Sequence, residues 1–190
     1  MLFFLEMARD GIDINYIAYL KPTHTYRSDS CPRGLGGYNH KGKAWRFYLP
    51  ENLLFRASNN LLEHLASIIT PWIDIINGDL RTGDCSLSMT DSSTSEGWTR
   101  KTNFKDADYD NPEETAVRRE VSREHAKRFY SKRIREYSQW FPGRSNQVSD
   151  ALSRDDDRDD KELTKILKSC VPLQVPANFE IRPLPNEIVS

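Results

Sequence analysis

The sequence has few cysteines, no long apolar run and almost no net charge. Cys31, Cys85 and Cys170 are odd in number and widely spaced. They form neither a disulfide ladder nor a CxxC zinc pattern, and they read as the reduced thiols of an intracellular protein. No apolar stretch approaches the roughly 18 residues of a membrane span, so none is expected. The opening MLFFLEMARD lacks the basic lead of a signal peptide. With 27 Lys and Arg against 28 Asp and Glu, the net charge is −1, and no global basic field advertises nucleic acid. Gly34, Gly36 and Gly37 are not followed by Gly-Lys-Ser/Thr, which excludes a phosphate loop. Ser28 and Ser30 lack the His/Asp pattern of a serine hydrolase.

What is present suits one domain with a sizeable core, plus tails, within 190 residues. The stretch THTYRSDS alternates as a strand and carries Asp29. CPRGLGG reads as a turn with flexible glycines. GGYNHKGKAWRFYLP reads as two strands around Asn39-His40-Lys41-Gly42, completing an antiparallel meander. After Pro50 the period changes. Leu61, Leu62, Leu65, Ile68, Ile69 and Trp72 follow the spacing of one helix face, with Ser58, Asn59 or Asn60 as cap and Pro71 as a kink or stop. Cys85, Leu87 and Met89 alternate as a fourth strand, with Cys85 expected to be buried. A long polar connection follows, anchored by Trp98 and Phe104. A basic helix then leads into a fifth strand, and WFPGRSNQVSDALSR supplies a turn and a last short helix. The two later strands, each preceded by a helix, imply parallel neighbours. The expected fold is therefore α/β: a mixed five-stranded sheet, an antiparallel meander plus parallel strands, with helices on both faces.

Four carboxylates stand out. Asp29 lies in or at the end of the first strand, Asp91 ends the fourth, Glu63 sits near the start of the intervening helix, and Asp150 opens the last helix. Strand ends are where open α/β sheets bind ligands. Carboxylates crowded together repel unless cations bind, and hard oxygen donors suit Mg²⁺ or Mn²⁺ rather than zinc. Each acid also has an ordinary reading. Asp29 can be a turn residue between serines, Glu63 a solvated helix residue, Asp91 the start of a loop, and Asp150 a charge favourable to a helix N-terminus.

SDSCPRGLGG, the Glu63 helix, SMTDSSTSEGW and above all Asn146-Gln147-Val148-Ser149-Asp150-Ala151-Leu152-Ser153-Arg154 resemble the ribonuclease H domain of retrotransposon reverse transcriptases, gypsy-like or DIRS-like. The resemblance covers about residues 21–154. It implies a ribonuclease H-like fold in which Asp29, Glu63, Asp91 and Asp150 are the catalytic, metal-binding set for two Mg²⁺ ions, with Mn²⁺ as a substitute. It further implies an endonuclease that cleaves the RNA strand of RNA–DNA hybrids during reverse transcription. Residues 1–20 would then be a tether from a missing upstream polymerase of the same polyprotein. Residues 155–190 would form an acidic linker, a short helix and a Pro-rich tail. The implied compartment is cytoplasm or nucleus, or a retroelement particle. The pattern departs from the family at Ser149, where Ala is commoner, and in having no convincing His in a loop before the last helix. No Tyr-x-Asp-Asp polymerase motif occurs. Two alternatives accompany this reading: a catalytically inactive nucleic-acid-binding relic, and an integrase-like transferase, against which the closing motif argues.

Arg100, Lys101, Arg123 and Lys127 are candidate contacts to the hybrid backbone. The rival reading for the basic helix is a solvated face of internal pairs such as Glu124 with Arg128. His24, His40, His64 and His125 are far apart in sequence and are not read as ligands. The run RDDDRDDKE reads as solvated linker.

Overall fold

A computed structural model describes residues 20–54, 57–100 and 111–189. The expected tether at residues 1–20 falls almost entirely outside that range, as do Lys101 and Phe104. The meander forms as read: β1 (His24–Cys31), β2 (Gly34–Asn39) and β3 (Lys43–Tyr48) pair antiparallel in sequence. The hairpin between β2 and β3 turns on Gly42, whose φ of +90° suits glycine. Asn39 Oδ1 closes the turn by accepting from the backbone N–H of Lys41 and Lys43, both at 3.0 Å.

Helix α1 (Asn59–Ile76) follows, capped by Ser58, whose hydroxyl accepts from the Leu61 N–H. Pro71 neither ends nor replaces it; the helix continues for five more residues. Burial explains this. Ile75 and the half-buried Trp72 pack with Tyr26, Leu80, Phe129 and Ile134 beyond the proline, so the apolar stripe continues to favour helix. Strand β4 (Cys85–Thr90) lies parallel to β1, and β5 (Arg135–Trp140) parallel to β4. The polar connection expected after Asp91 contains a helix, α2 (Ser93–Arg100). Its local anchor is Ser95, fully buried and bonded through Oγ to Ser67 Oγ at 3.1 Å. Helix α3 (Pro112–Ser131) is capped by Asn111, with Pro112 in its first turn. Helix α4 (Gln147–Arg154) carries the closing motif.

The sheet order is β5-β4-β1-β2-β3-β6, a mixed α/β sheet consistent with a ribonuclease H-like architecture. The sixth strand was not anticipated. It is the short β6 (Glu180–Ile181) from the Pro-rich tail, which adds parallel to β3. Helix α5 (Asp160–Cys170) precedes it and buries Leu163 and Leu167 against Val148, Leu152, Tyr38 and Phe179. Burying such side chains stabilises by about 1.5–3 kcal/mol each. The acidic run before α5 is held rather than merely solvated. Arg46 of β3 donates to the carbonyls of Asp155 (2.9 Å) and Arg158 (2.6 Å) and pairs with Asp160 (2.7 Å). A short α6 (Asn186–Val189) follows β6.

Helices cover both faces. Leu62 and Ala66 of α1 pack on Leu35 and Trp45, while α4 and α5 pack on Tyr38 and Ala44 from the other side. The glycines read as a flexible turn lie within β2, fully buried. Gly36 is there for closeness: a Cβ on it would lie 2.5 Å from Leu152 Cβ. Its bare backbone lets α4 sit directly on the sheet, and that seats the closing motif beside β1.

Candidate metal centre

The parallel register of β1 and β4 runs from His24↔Ser86 to Arg27↔Met89. Two residues further along lie Asp29 and Asp91. Glu63, in the second turn of α1, joins them. Each of the three offers one carboxylate oxygen, and these oxygens lie within 4.8 Å of one another. The off-stripe position of Glu63, ambiguous in the sequence, is what turns it towards the end of β1 instead of the apolar core.

Neighbours fix each acid. Asp29 is 4% exposed, and its Oδ2 accepts from Ser153 Oγ of α4 at 2.8 Å. Glu63 Oε1 accepts from the Ser30 N–H at 3.2 Å and from Ser30 Oγ at 2.9 Å. Glu63 Oε2 is buried and has no hydrogen-bond partner. Asp91 sits against the turn after β5: Trp140 Nε1 donates to its carbonyl at 2.9 Å, and a Cβ on Gly143 would lie 2.8 Å from its Oδ2. Asn146, buried beneath, donates from Nδ2 to the Ser28 carbonyl at 3.0 Å.

Electrostatics follow from crowding in a shielded place. Burial drives the Asp29 carboxyl up to about 6; the Ser153 hydrogen bond opposes this, and the charges of Asp91 and Asp150 add to it. Burial likewise raises Glu63 to about 8, reinforced by Asp29 and opposed by Ser30. Asp91 is raised by burial, against its own backbone N–H, and further by Asp150. Three acids that resist ionising together, with one oxygen lacking any donor, make a site that fits a divalent cation. The donors are all carboxylate, which suits a hard ion.

Asp150 is not part of this close cluster. It sits on α4 with its carboxylate half exposed, engaged by Arg154 one turn on. It is near enough to raise the Asp29 and Asp91 carboxyls, so it belongs to the same electrostatic neighbourhood. Of the candidate phosphate contacts, Arg100 ends α2 and Lys101 falls outside the described residues. Arg123 and Lys127 are largely exposed on α3, where they pair with Glu120 and Glu124. Glu124 also accepts from Arg128 at 2.9 Å, the internal pairing weighed against phosphate binding.

Ser30, Ser153, Asn146 and Trp140 were not singled out in the sequence. A signal for Ser30 existed: alternation along β1 puts it on the face opposite Asp29, towards α1. Ser153 lies three residues after Asp150, one helical turn, but nothing local points it at Asp29.

No protein-family model matches the chain, and no curated protein or solved structure matches it either.

Proposed function

We propose that this chain is a divalent-cation-dependent endonuclease of ribonuclease H type, cleaving the RNA strand of RNA–DNA hybrids in a retroelement. The observation that carries the reading is the three-carboxylate cluster of Asp29, Glu63 and Asp91 with its partnerless Glu63 Oε2. The adjacent parallel strands that present two of these acids, and the closing motif on α4, support it.

Asp29, Glu63 and Asp91 would hold Mg²⁺ or Mn²⁺. Asp150 would join a second ion once released from Arg154. Bound divalent cations supply Lewis-acid stabilisation of the phosphate and an acidified water. The protein's part is positioning. Ser153 and Ser30 each restrain one carboxylate oxygen, and the chain spends no reorganisation on them when substrate arrives. The half-exposed Trp140 ring, beside Asp91, offers a face to a nucleotide. Hybrid shape and 2′-hydroxyls, rather than base sequence, would define the substrate. A polymerase domain of the same polyprotein would be the natural partner, in cytoplasm, nucleus or particle.

The inactive-relic reading draws on one observation, the ion pair that engages Asp150. A cleavage assay separates the two. The purified chain is given matched RNA–DNA, DNA–DNA and RNA–RNA duplexes with Mg²⁺ or EDTA. Mg²⁺-dependent cleavage confined to the hybrid is expected; binding without cleavage would select the relic.

A further inference from the structure

Two of the cavities away from the acidic cluster are lined by charged side chains. One, of about 870 Å³, lies between α1, β3 and residues 180–187. Most of its charges are already paired. Lys43 pairs with Asp79 and Arg182 with Glu180, while the buried Asp74 accepts from Tyr26 and Asn39. Nothing there calls for a ligand.

The other cavity, of about 420 Å³, is enclosed by α1, α2, α3 and β5. Its volume falls within the roughly 300–1,000 Å³ of small-molecule sites. Ile68, Phe129 and Ile134 give it apolar walls, and Trp98 adds an aromatic one. His64, 1% exposed, also lines it. Its Nε2 lies 3.1 Å from Ser122 Oγ, but Nδ1 is buried with no hydrogen-bond partner. In either neutral tautomer Nδ1 is left unmet, a desolvation cost that a ligand would remove.

Charge at the cavity favours an anion. Arg119 and Arg123 line it. Glu136, the one carboxylate among its described lining residues, is already hydrogen-bonded. Trp72 Nε1 donates to His125 Nδ1 at 2.9 Å, so His125 carries its proton on Nε2 and donates it to Glu136 at 2.7 Å. Among the described lining residues, two guanidinium groups stand against one carboxylate. The surface pair of Arg123 with Glu120 is largely exposed and competes weakly.

We propose that this cavity binds a small flat aromatic or heteroaromatic molecule bearing a negative group. The ring lies against Trp98 and Phe129, a ring or ring-substituent polar atom meets His64 Nδ1, and the anionic group sits at Arg119 and Arg123. The site does not include the acidic cluster, and its test does not depend on cleavage.

The test uses the full chain in EDTA, so that no cation at the acidic cluster can recruit a phosphate. Calorimetry and tryptophan fluorescence follow titrations with AMP, adenosine, benzoate and inorganic phosphate. Saturable one-to-one binding of AMP is expected, about tenfold or more tighter than adenosine or phosphate. Benzoate distinguishes the sources: parity with AMP assigns simple aromatic acids, and weaker binding assigns nucleotides. The double variant Arg119→Gln with Arg123→Gln, both exposed on α3, should weaken AMP by about tenfold or more. His64→Phe should weaken it too, with folding checked by circular dichroism. Absence of saturable binding by AMP and benzoate, phosphate binding as tightly as AMP, or AMP binding undiminished in the double arginine variant would overturn the proposal.

Discussion

The Ser153 hydroxyl donates to Asp29 Oδ2 at 2.8 Å and so ties α4 to β1. The same helix makes two further polar contacts with that strand: the Ser153 carbonyl accepts from Cys31 Sγ at 3.1 Å, and Asn146, its cap, reaches the Ser28 carbonyl. Ser153→Ala should cost about 1–3 kcal/mol, because the lost bond is to a carboxylate in a buried place. Its removal also takes away an interaction that lowers the Asp29 pKa, so cation affinity should fall. Urea unfolding and Mn²⁺ calorimetry on the variant check both effects.

Asp91→Asn should reduce Mg²⁺-dependent hybrid cleavage to background while the melting temperature in EDTA stays equal or rises. Asp91 is half-buried among other acids, so neutralising it relieves repulsion instead of breaking a pair. Unchanged cleavage by the folded variant would refute the site.

Stability should depend on pH in a direction set by the raised carboxyls. Asp29 titrates at about 6 and Glu63 at about 8 in the folded chain, against 3.8 and 4.5 when unperturbed. Between those limits the folded chain holds protons that the unfolded chain has released, so stability falls as pH rises. A divalent cation needs the ionised carboxylates and displaces those protons. The melting-temperature gain from Mg²⁺ should therefore be larger at pH about 8 than at pH about 5.5. Equal gains at both values would count against cation binding by these acids.

Gly36→Ala should unseat α4. The added methyl would lie 2.5 Å from Leu152 Cβ and 2.8 Å from the Leu152 carbonyl carbon. Backbone and a fully buried side chain cannot both yield, so a loss of about 1–3 kcal/mol is expected. Because Asp150 and Ser153 travel with α4, Mn²⁺ affinity should drop as well, which calorimetry on the folded fraction would show.

Arg46→Met should loosen α5 without disturbing β3. Arg46 is the common partner of Asp155, Arg158 and Asp160 at the start of that helix. Faster amide exchange across Leu163–Leu167, with unchanged protection in β1, is the expected signature.

Much of the architecture was legible because it rests on periodicity. Alternation in THTYRSDS and CSLSMT, and the 3.6-residue stripe through Leu61 and Trp72, mark elements whatever they pack against. What failed locally failed for tertiary reasons. Pro71 reads as a kink or stop, yet the helix runs on because Ile75 has a core to enter. GLGG reads as a loop, yet bare backbone is what α4 needs beside it. The tail reads as Pro-rich and extended, and nothing in residues 180–181 announces that the free edge of β3 will take them as a strand.

By itself the sequence determined the order of the first five strands and the helices between them, apart from α2, together with the mixed sheet and four acids worth watching, since local spacing and residue chemistry carry that information. Only the tertiary structure decided that Asp29, Glu63 and Asp91 converge, that Asp150 stands aside with Arg154, and that Ser153 and Ser30 hold the cluster. Those are contacts between residues as many as 124 positions apart. Sheet register and helix seating create them, and no local pattern encodes either.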